Sequence, residues 1–126
     1  MLTKIEDVLK SNPFISSKVS DRIKFYQYPN SSDLNIGPYI VIDPLSPPTP
    51  DDYADDKWLT NDYLFQIEVW SKNPMDKRDV ADKIQEVMWN ELGFHNSGSG
   101  VDQYDSDLNV HRDARRYRGK AYVDSL

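Results

Sequence analysis

The chain has 126 residues and no cysteine, which excludes disulfides, thiolate metal sites and cysteine nucleophiles. That length suits one domain around one core, and 38% hydrophobic with 29% charged residues describes a folded chain rather than a disordered one. A formal charge of −6 argues against a dedicated nucleic-acid binder, whose affinity would draw on clustered Lys and Arg.

Thr3 with Glu6 three residues later predicts a capping box opening a first helix, with Ile5, Val8 and Leu9 on one face and Asn12-Pro13 at its end. Glu6 and Asp7 interrupt the place where a secretory signal needs an apolar stretch, so no such signal is expected. Residues 22–28 alternate as a half-buried strand does, and Pro29 to Asp33 supplies a break. Pro38 to Ile42 is a short β-branched run, predicted as a strand buried on both faces. Its Tyr39 to Ile42 portion is the longest apolar stretch, far short of the ~20 residues that cross a bilayer, so no membrane partner is expected.

From Asp43 to Asp62 the chain carries Pro44, Pro47, Pro48 and Pro50 among several aspartates, with little apolar periodicity. This segment is predicted as a long acidic, proline-rich loop at about 43–62, and loops of that length tend to carry function. Tyr63, Phe65, Ile67 and Val69 then alternate with Leu64, Gln66, Glu68 and Trp70, which predicts a central strand. Asn73, Pro74 and Asp76 mark the start of a helix whose apolar stripe is Val80, Ile84, Val87, Met88 and Leu92. Gly93 fits the left-handed residue that closes it. Phe94-His95 and a turn at Ser97-Gly98-Ser99-Gly100 lead to two further strands, near 101–105 and 110–123. The order α-β-β-loop-β-α-β-β predicts a single α+β domain over 1–126, a mainly antiparallel sheet with two helices packed on one face.

Catalytic chemistry finds little to stand on. His95 and His111 are the only imidazoles, so a three-His zinc site and the His-Glu-x-x-His motif cannot be written on this chain. Asp102, Asp105 and Asp107 near His111 lack the glycine and terminal Glu of a calcium loop and read as a solvated turn. No Ser stands in a Gly-x-Ser-x-Gly elbow, and Ser97 to Gly100 is not followed by the Gly-Lys-Ser/Thr of a phosphate loop. No catalytic residue, cofactor or metal ligand is assigned, and the chain is expected not to be an enzyme.

Charge is unevenly distributed. Residues 31–62 hold seven acids and one Lys, whereas 112–126 hold five bases and two acids. On a strand, Arg116, Arg118 and Lys120 line one face while Tyr117, Ala121 and Val123 line the other. Arg112, Arg115, Arg116, Arg118 and Lys120 thus read equally as the exposed face of a core strand or as a basic interface for an acidic neighbour. Asp51, Asp52, Asp55 and Asp56 read as solvated charge that matters as a field.

Three segments, in this order, resemble the small tail-component proteins of siphophages, the group that includes tail terminators. They are Pro38-Tyr39-Ile40-Val41-Ile42 before the acidic segment, Gln66-Ile67-Glu68-Val69-Trp70-Ser71 before a capped helix, and the terminal Arg115-Arg116-Tyr117-Arg118-Gly119-Lys120-Ala121-Tyr122. The resemblance implies a structural virion protein that forms a ring, commonly a hexamer, on the last ring of the tail tube. Such a ring caps the head-proximal end, stops tail polymerisation and joins tail to head. Its implied partners are other copies of itself, the tail tube protein and a head-completion protein, with DNA only as passing cargo. Its implied location is the host cytoplasm during assembly and then the tail-neck junction of the virion. In that setting the basic strand would meet acidic partners, and the acidic segment would project into the bore and repel DNA. A head-closure or other neck protein is the nearest alternative, followed by a non-phage protein-binding module and then a small hydrolase.

Overall fold

The computed structural model describes residues 1–123. In chain order its elements are helices α1 (Leu2–Ser11) and α2 (Pro13–Val19), strand β1 (Ile23–Phe25), helix α3 (Ser31–Ile36), and strands β2 (Tyr39–Pro44), β3 (Thr49–Ala54) and β4 (Lys57–Ser71). Helix α4 (Pro74–Leu92) and strands β5 (His95–Asn96), β6 (Val101–Asp105) and β7 (Val110–Tyr122) complete it. Among the described residues no helix is long and apolar enough to cross a membrane.

Strand β4 is the spine of the sheet. Its alternating residues 63–69 put Tyr63, Phe65, Ile67 and Val69 on one face, all buried. It pairs antiparallel with β2 on one side and with β7 along most of the other, while its first half also pairs with β3. Strands β5 and β6 line the far edge of β7, and β1 joins β2 in parallel. The sheet is therefore mixed and mainly antiparallel within an α+β domain, as the element order predicts.

Three helices cover the apolar face. Ile5 and Leu9 of α1, Ile15 and Val19 of α2, and Val80, Ile84 and Met88 of α4 close over Ile40, Ile42, Phe65, Ile67, Val69 and Tyr117. Burying side chains of this size is worth about 1.5–3 kcal/mol each before chain entropy opposes it. Helix α4 starts as predicted: the Asn73 side chain accepts from the backbone N–H of Met75 at 2.9 Å and of Asp76 at 3.2 Å. It ends at Gly93 with φ 69°, where the Phe94 N–H donates to the Met88 carbonyl at 3.0 Å.

Several expectations change. Among the described residues four helices form where two were expected, and α3 lies on the opposite face, where Leu34 joins Tyr39, Val41 and Val110 in a second small cluster. Asn12-Pro13 does end α1, but it also starts α2, because the Asn12 side chain accepts from the Ile15 N–H at 3.1 Å and Pro13 occupies the first turn. Helix α1 begins at Leu2 without a side-chain cap, so Thr3 and Glu6 form no capping box. The break predicted at Pro29 to Asp33 holds a capping box between Asn30 and Asp33 that opens α3. The first strand stops at Phe25 because Tyr26 takes a left-handed backbone with φ 63°.

The segment 43–62 is not a loop. Strand β2 runs to Pro44, β3 spans Thr49–Ala54, and β4 starts at Lys57, so the segment is largely a β-hairpin. Asp55 and Asp56 form its two-residue turn with φ 50° and 62°, the paired positive φ angles that match the twist of a hairpin. Pro47 and Pro48 fall in the β2–β3 connection, whereas Pro44 ends β2 opposite Phe65 and Pro50 stands near the start of β3 opposite Asn61, the strand-end positions that proline tolerates.

Gly119 sits under the Phe94 ring so closely that a Cβ at this position would overlap it. Gly119→Ala is expected to lower stability by about 1–3 kcal/mol through overpacking. Pairing it with Phe94→Leu should recover part of that loss in urea denaturation. A Gly119→Ala variant as stable as wild type would show that the two elements are less closely packed than this.

Candidate functional site

The face of the sheet opposite α1, α2 and α4 is built by the register of β4 and β7, where Leu64 lies opposite Arg118, Gln66 opposite Arg116, Glu68 opposite Ala114 and Trp70 opposite Arg112; α3 covers only its β2 side, through Leu34. Directly opposed residues share a face. Arg112, Arg116, Arg118 and Lys120 therefore stand on this face, and Arg115 stands on the other. Each of the five bases has a different environment.

Arg112 is held within the chain. Its Nε pairs with Glu68 Oε1, its Nη1 donates to Gln103 Oε1 at 3.2 Å, and its guanidinium lies 5.6 Å from the centre of the Trp70 ring. Glu68 is wholly buried, and its second oxygen accepts from Gln66 Nε2 at 3.3 Å. Asp43, two strands away from β7 on β2 and opposite Gln66, has one carboxylate oxygen buried without a hydrogen-bond partner. Burial, then the charge of Glu68, pushes its pKa up.

Arg115 faces α4. It donates to Gln85 Oε1 at 2.8 Å, to Asp82 Oδ1 at 3.0 Å and to Asp113 Oδ2 at 3.1 Å, tying the strand to the helix. Lys120 reaches the hairpin: its Nζ lies 3.0 Å from Asp51 Oδ2 and 3.3 Å from Asp52 Oδ2. Asp52 Oδ2 also accepts from the Thr60 hydroxyl at 2.6 Å. Two of the four acids singled out in the sequence thus meet one of the five bases inside the same chain. The Lys120 hydrogen bond lowers the Asp51 pKa, and the two acids raise that of Lys120.

Arg116 and Arg118 are exposed and form no ion pair among the described residues. They flank a groove of about 490 Å³ floored by Leu64, Gln66 and Ala114 and walled by Ser97 to Val101. The wall is tied down by the Ser97 N–H, which donates to the Arg116 carbonyl at 2.7 Å. At Gly100, with φ 68°, a Cβ would stand 2.6 Å from the Ala114 carbonyl oxygen, so only glycine lets the wall lie this close to β7.

The hairpin β3–β4 is an arm. Among the described residues its pairing with β7 ends at Thr60 opposite Tyr122, leaving Lys57 and Trp58 paired to β3 alone. Tyr53 is opposite Trp58, and both are exposed, at 69% and 49%. Leu59 is exposed as well. Asp55 and Asp56 stand at the tip without an ion pair among the described residues. The sequence reading missed the aromatic pair, although alternation through Thr49, Asp51 and Tyr53 and an Asp-Asp turn were legible signals.

The remaining polar candidates are dispersed. His95 lies opposite Arg118 and His111 opposite Tyr104, so the imidazoles stand roughly 24 Å apart along β7, at about 3.4 Å per residue. His111 packs against Tyr104, with ring centres 4.5 Å apart. Asp102 pairs with Lys77 of α4 at 2.6 Å, and Asp105 accepts from the N–H groups of Asp107 and Leu108, an Asx turn closing the β6–β7 hairpin. Among the described residues no three of His, Asp and Glu are placed to hold a metal ion.

No family model and no curated protein matches this chain. Among solved structures, it is similar to a chain of the "Virion of native gene transfer agent (GTA) particle", with a TM-score of 0.67 over 94% of this chain and 91% of that one. Sequence identity is 12%, so what the two share is the fold.

Arg112→Ala would leave the Glu68 carboxylate buried with Gln66 as its remaining side-chain donor, and a loss of about 3–5 kcal/mol is expected in chemical denaturation. Replacing Glu68 and Arg112 together by Met should cost far less, since no buried charge is left behind. For Asp43 the raised pKa means that its protonated form favours folding. That contribution is present below the ordinary carboxylate pKa and is lost as pH rises through the folded value. Asp43→Asn is therefore expected to raise stability at neutral pH and to flatten the fall between those two values. A wild-type pH profile in the variant would contradict this.

Proposed function

We propose that this chain is a structural assembly protein of a long-tailed phage or phage-like particle. In this reading it forms a ring on the head-proximal end of the tail tube, ends tail polymerisation and joins tail to head. The observation that carries the proposal is the fold shared over nearly the whole chain with a component of a gene transfer agent virion. The resemblance to siphophage tail components agrees with it, and its three segments fall on β2, on the last part of β4 before α4, and on β7.

The surfaces suit such work. A subunit in a ring presents one face to its left neighbour and a different one to its right. This chain has an arm with exposed Tyr53 and Trp58, and a separate sheet face with free Arg116 and Arg118. The activity is complementarity repeated around an axis, with no bond made or broken, and the chain is read as a non-enzyme. The partners in this reading are further copies, commonly six in all, the tail tube protein and a head-completion protein, with DNA passing through. It would assemble in the host cytoplasm and remain at the tail-neck junction of the virion.

A head-closure or other neck protein is the second reading, favoured by the same fold likeness, because similarity to a component of a virion particle suits both roles. Purified protein mixed with short growing tail tubes and imaged by negative stain is expected to cap one end and halt growth there. Binding to portal-side assemblies while both tube ends continue to grow would move the assignment to head closure. A protein that engages neither would contradict both.

A further inference from the structure

The hairpin arm and the Arg116–Arg118 groove are unpartnered surfaces of opposite charge on one chain. At the tip stand Asp55 and Asp56; at the groove stand two guanidinium groups, each without an ion pair among the described residues. Every other base of the 112–120 strand already has a carboxylate: Arg112 has Glu68, Arg115 has Asp82 and Asp113, and Lys120 has Asp51 and Asp52. Of the four acids and five bases singled out in the sequence, this leaves Asp55 with Asp56 and Arg116 with Arg118.

The tip cannot fill its own groove. Lys57 at the base of the turn and Gln66 on the groove floor belong to one continuous strand, β4, so roughly 30 Å of extended backbone holds them apart at about 3.4 Å per residue. A two-residue turn narrows the arm to the width of a hairpin, and the aromatic pair Tyr53 and Trp58 directly behind the tip gives it apolar surface that the chain itself leaves uncovered.

We infer that the Asp55-Asp56 tip of one copy seats in the groove between Ser97–Gly100 and Arg116/Arg118 of the next copy. The inference rests on the ring reading and adds the contact that makes it. The occupant is a second copy because both charged partners are present on this chain. Donor arm and acceptor groove are different surfaces, so the contact is head-to-tail and closes into a ring when its rotation permits. Charge-assisted pairs between Asp and Arg give such a contact its orientation. It places the arm tip on a neighbour rather than free in the bore, and Tyr53 and Trp58 are covered as the tip seats.

A charge exchange tests this. D55K/D56K carries a basic tip and an unchanged groove; R116E/R118E carries an acidic groove and an unchanged tip. Each alone opposes like charges at every contact and is expected to self-associate roughly tenfold or more weakly than wild type, by sedimentation and by the number of capped tube ends. Mixed in equal amounts, the two variants present opposite charges at both contacts and should recover assembly as alternating rings. D55N/D56N, which suits the left-handed backbone of the turn, should weaken assembly in between, and thermal melts check that each variant is folded.

Assembly of either folded variant alone at wild-type strength would overturn the contact while leaving the ring reading in place. So would a mixture that fails to recover. A groove variant that loses retention of DNA while the tip variant assembles normally would assign the groove to phosphate instead. Wild-type protein that stays monomeric in solution and ignores tube ends would remove the ring reading and this contact together.

Discussion

The pairing register of β4 with β7 is the constraint on which the rest of this molecule depends. Side chains alternate with a period of two, so a slip of one residue would turn Tyr117 out of the core and push Arg116 under the helices. Features on both faces hold the register. On the covered face Tyr117 is buried and Gly119 lies beneath Phe94, a position that admits no side chain. On the other face Arg112 reaches diagonally to Glu68, which would remain buried and unpaired in any neighbouring register.

Such an ion pair contributes less to stability than to choosing among alternatives. Its Coulombic gain is largely offset by the cost of removing both groups from water, whereas separating the partners carries the full penalty of a buried charge. Asp43 adds a second carboxylate to the same face, raised in pKa by burial and by Glu68, and so weakens the fold as it ionises. The face opposite α1, α2 and α4 is thus specific in its pairing near Trp70, where Leu34 of α3 also packs, and open near Arg116 and Arg118. One end of a single sheet face secures the fold while the other is left for contact.

Much of this architecture is legible in the residues. The alternation of Tyr63 to Trp70, the cap at Asn73 and the Gly93 stop are local signals, and tertiary packing agrees with each of them. Pro13 signals a stop and is also a start, because one Asn-Pro pair serves both purposes. The hairpin at 49–62 is obscured by Pro47 and Pro48 just before it and by Pro50 at the start of its ladder, although the Asp55-Asp56 turn is visible. Which base meets which acid is not legible at all. Arg112 and Glu68 are 44 residues apart, and Lys120 is 68 from Asp52, so only the folded register brings them together. The basic strand therefore looks like one surface in the sequence, and the fold divides it into three internal anchors and two guanidinium groups that form no ion pair among the described residues.

In the proposed role as a particle-assembly protein, the arm and the open sheet face of this chain are buried by other subunits. Hydrogen–deuterium exchange, compared between free protein and protein assembled on tail tubes, tests that claim most directly. Protection is expected in two separate segments on assembly, the arm at 49–59 and the groove at 97–101 with 116–118, while the helical core at 80–88 stays unchanged. Exchange in both segments that is identical in the free and assembled states would contradict it.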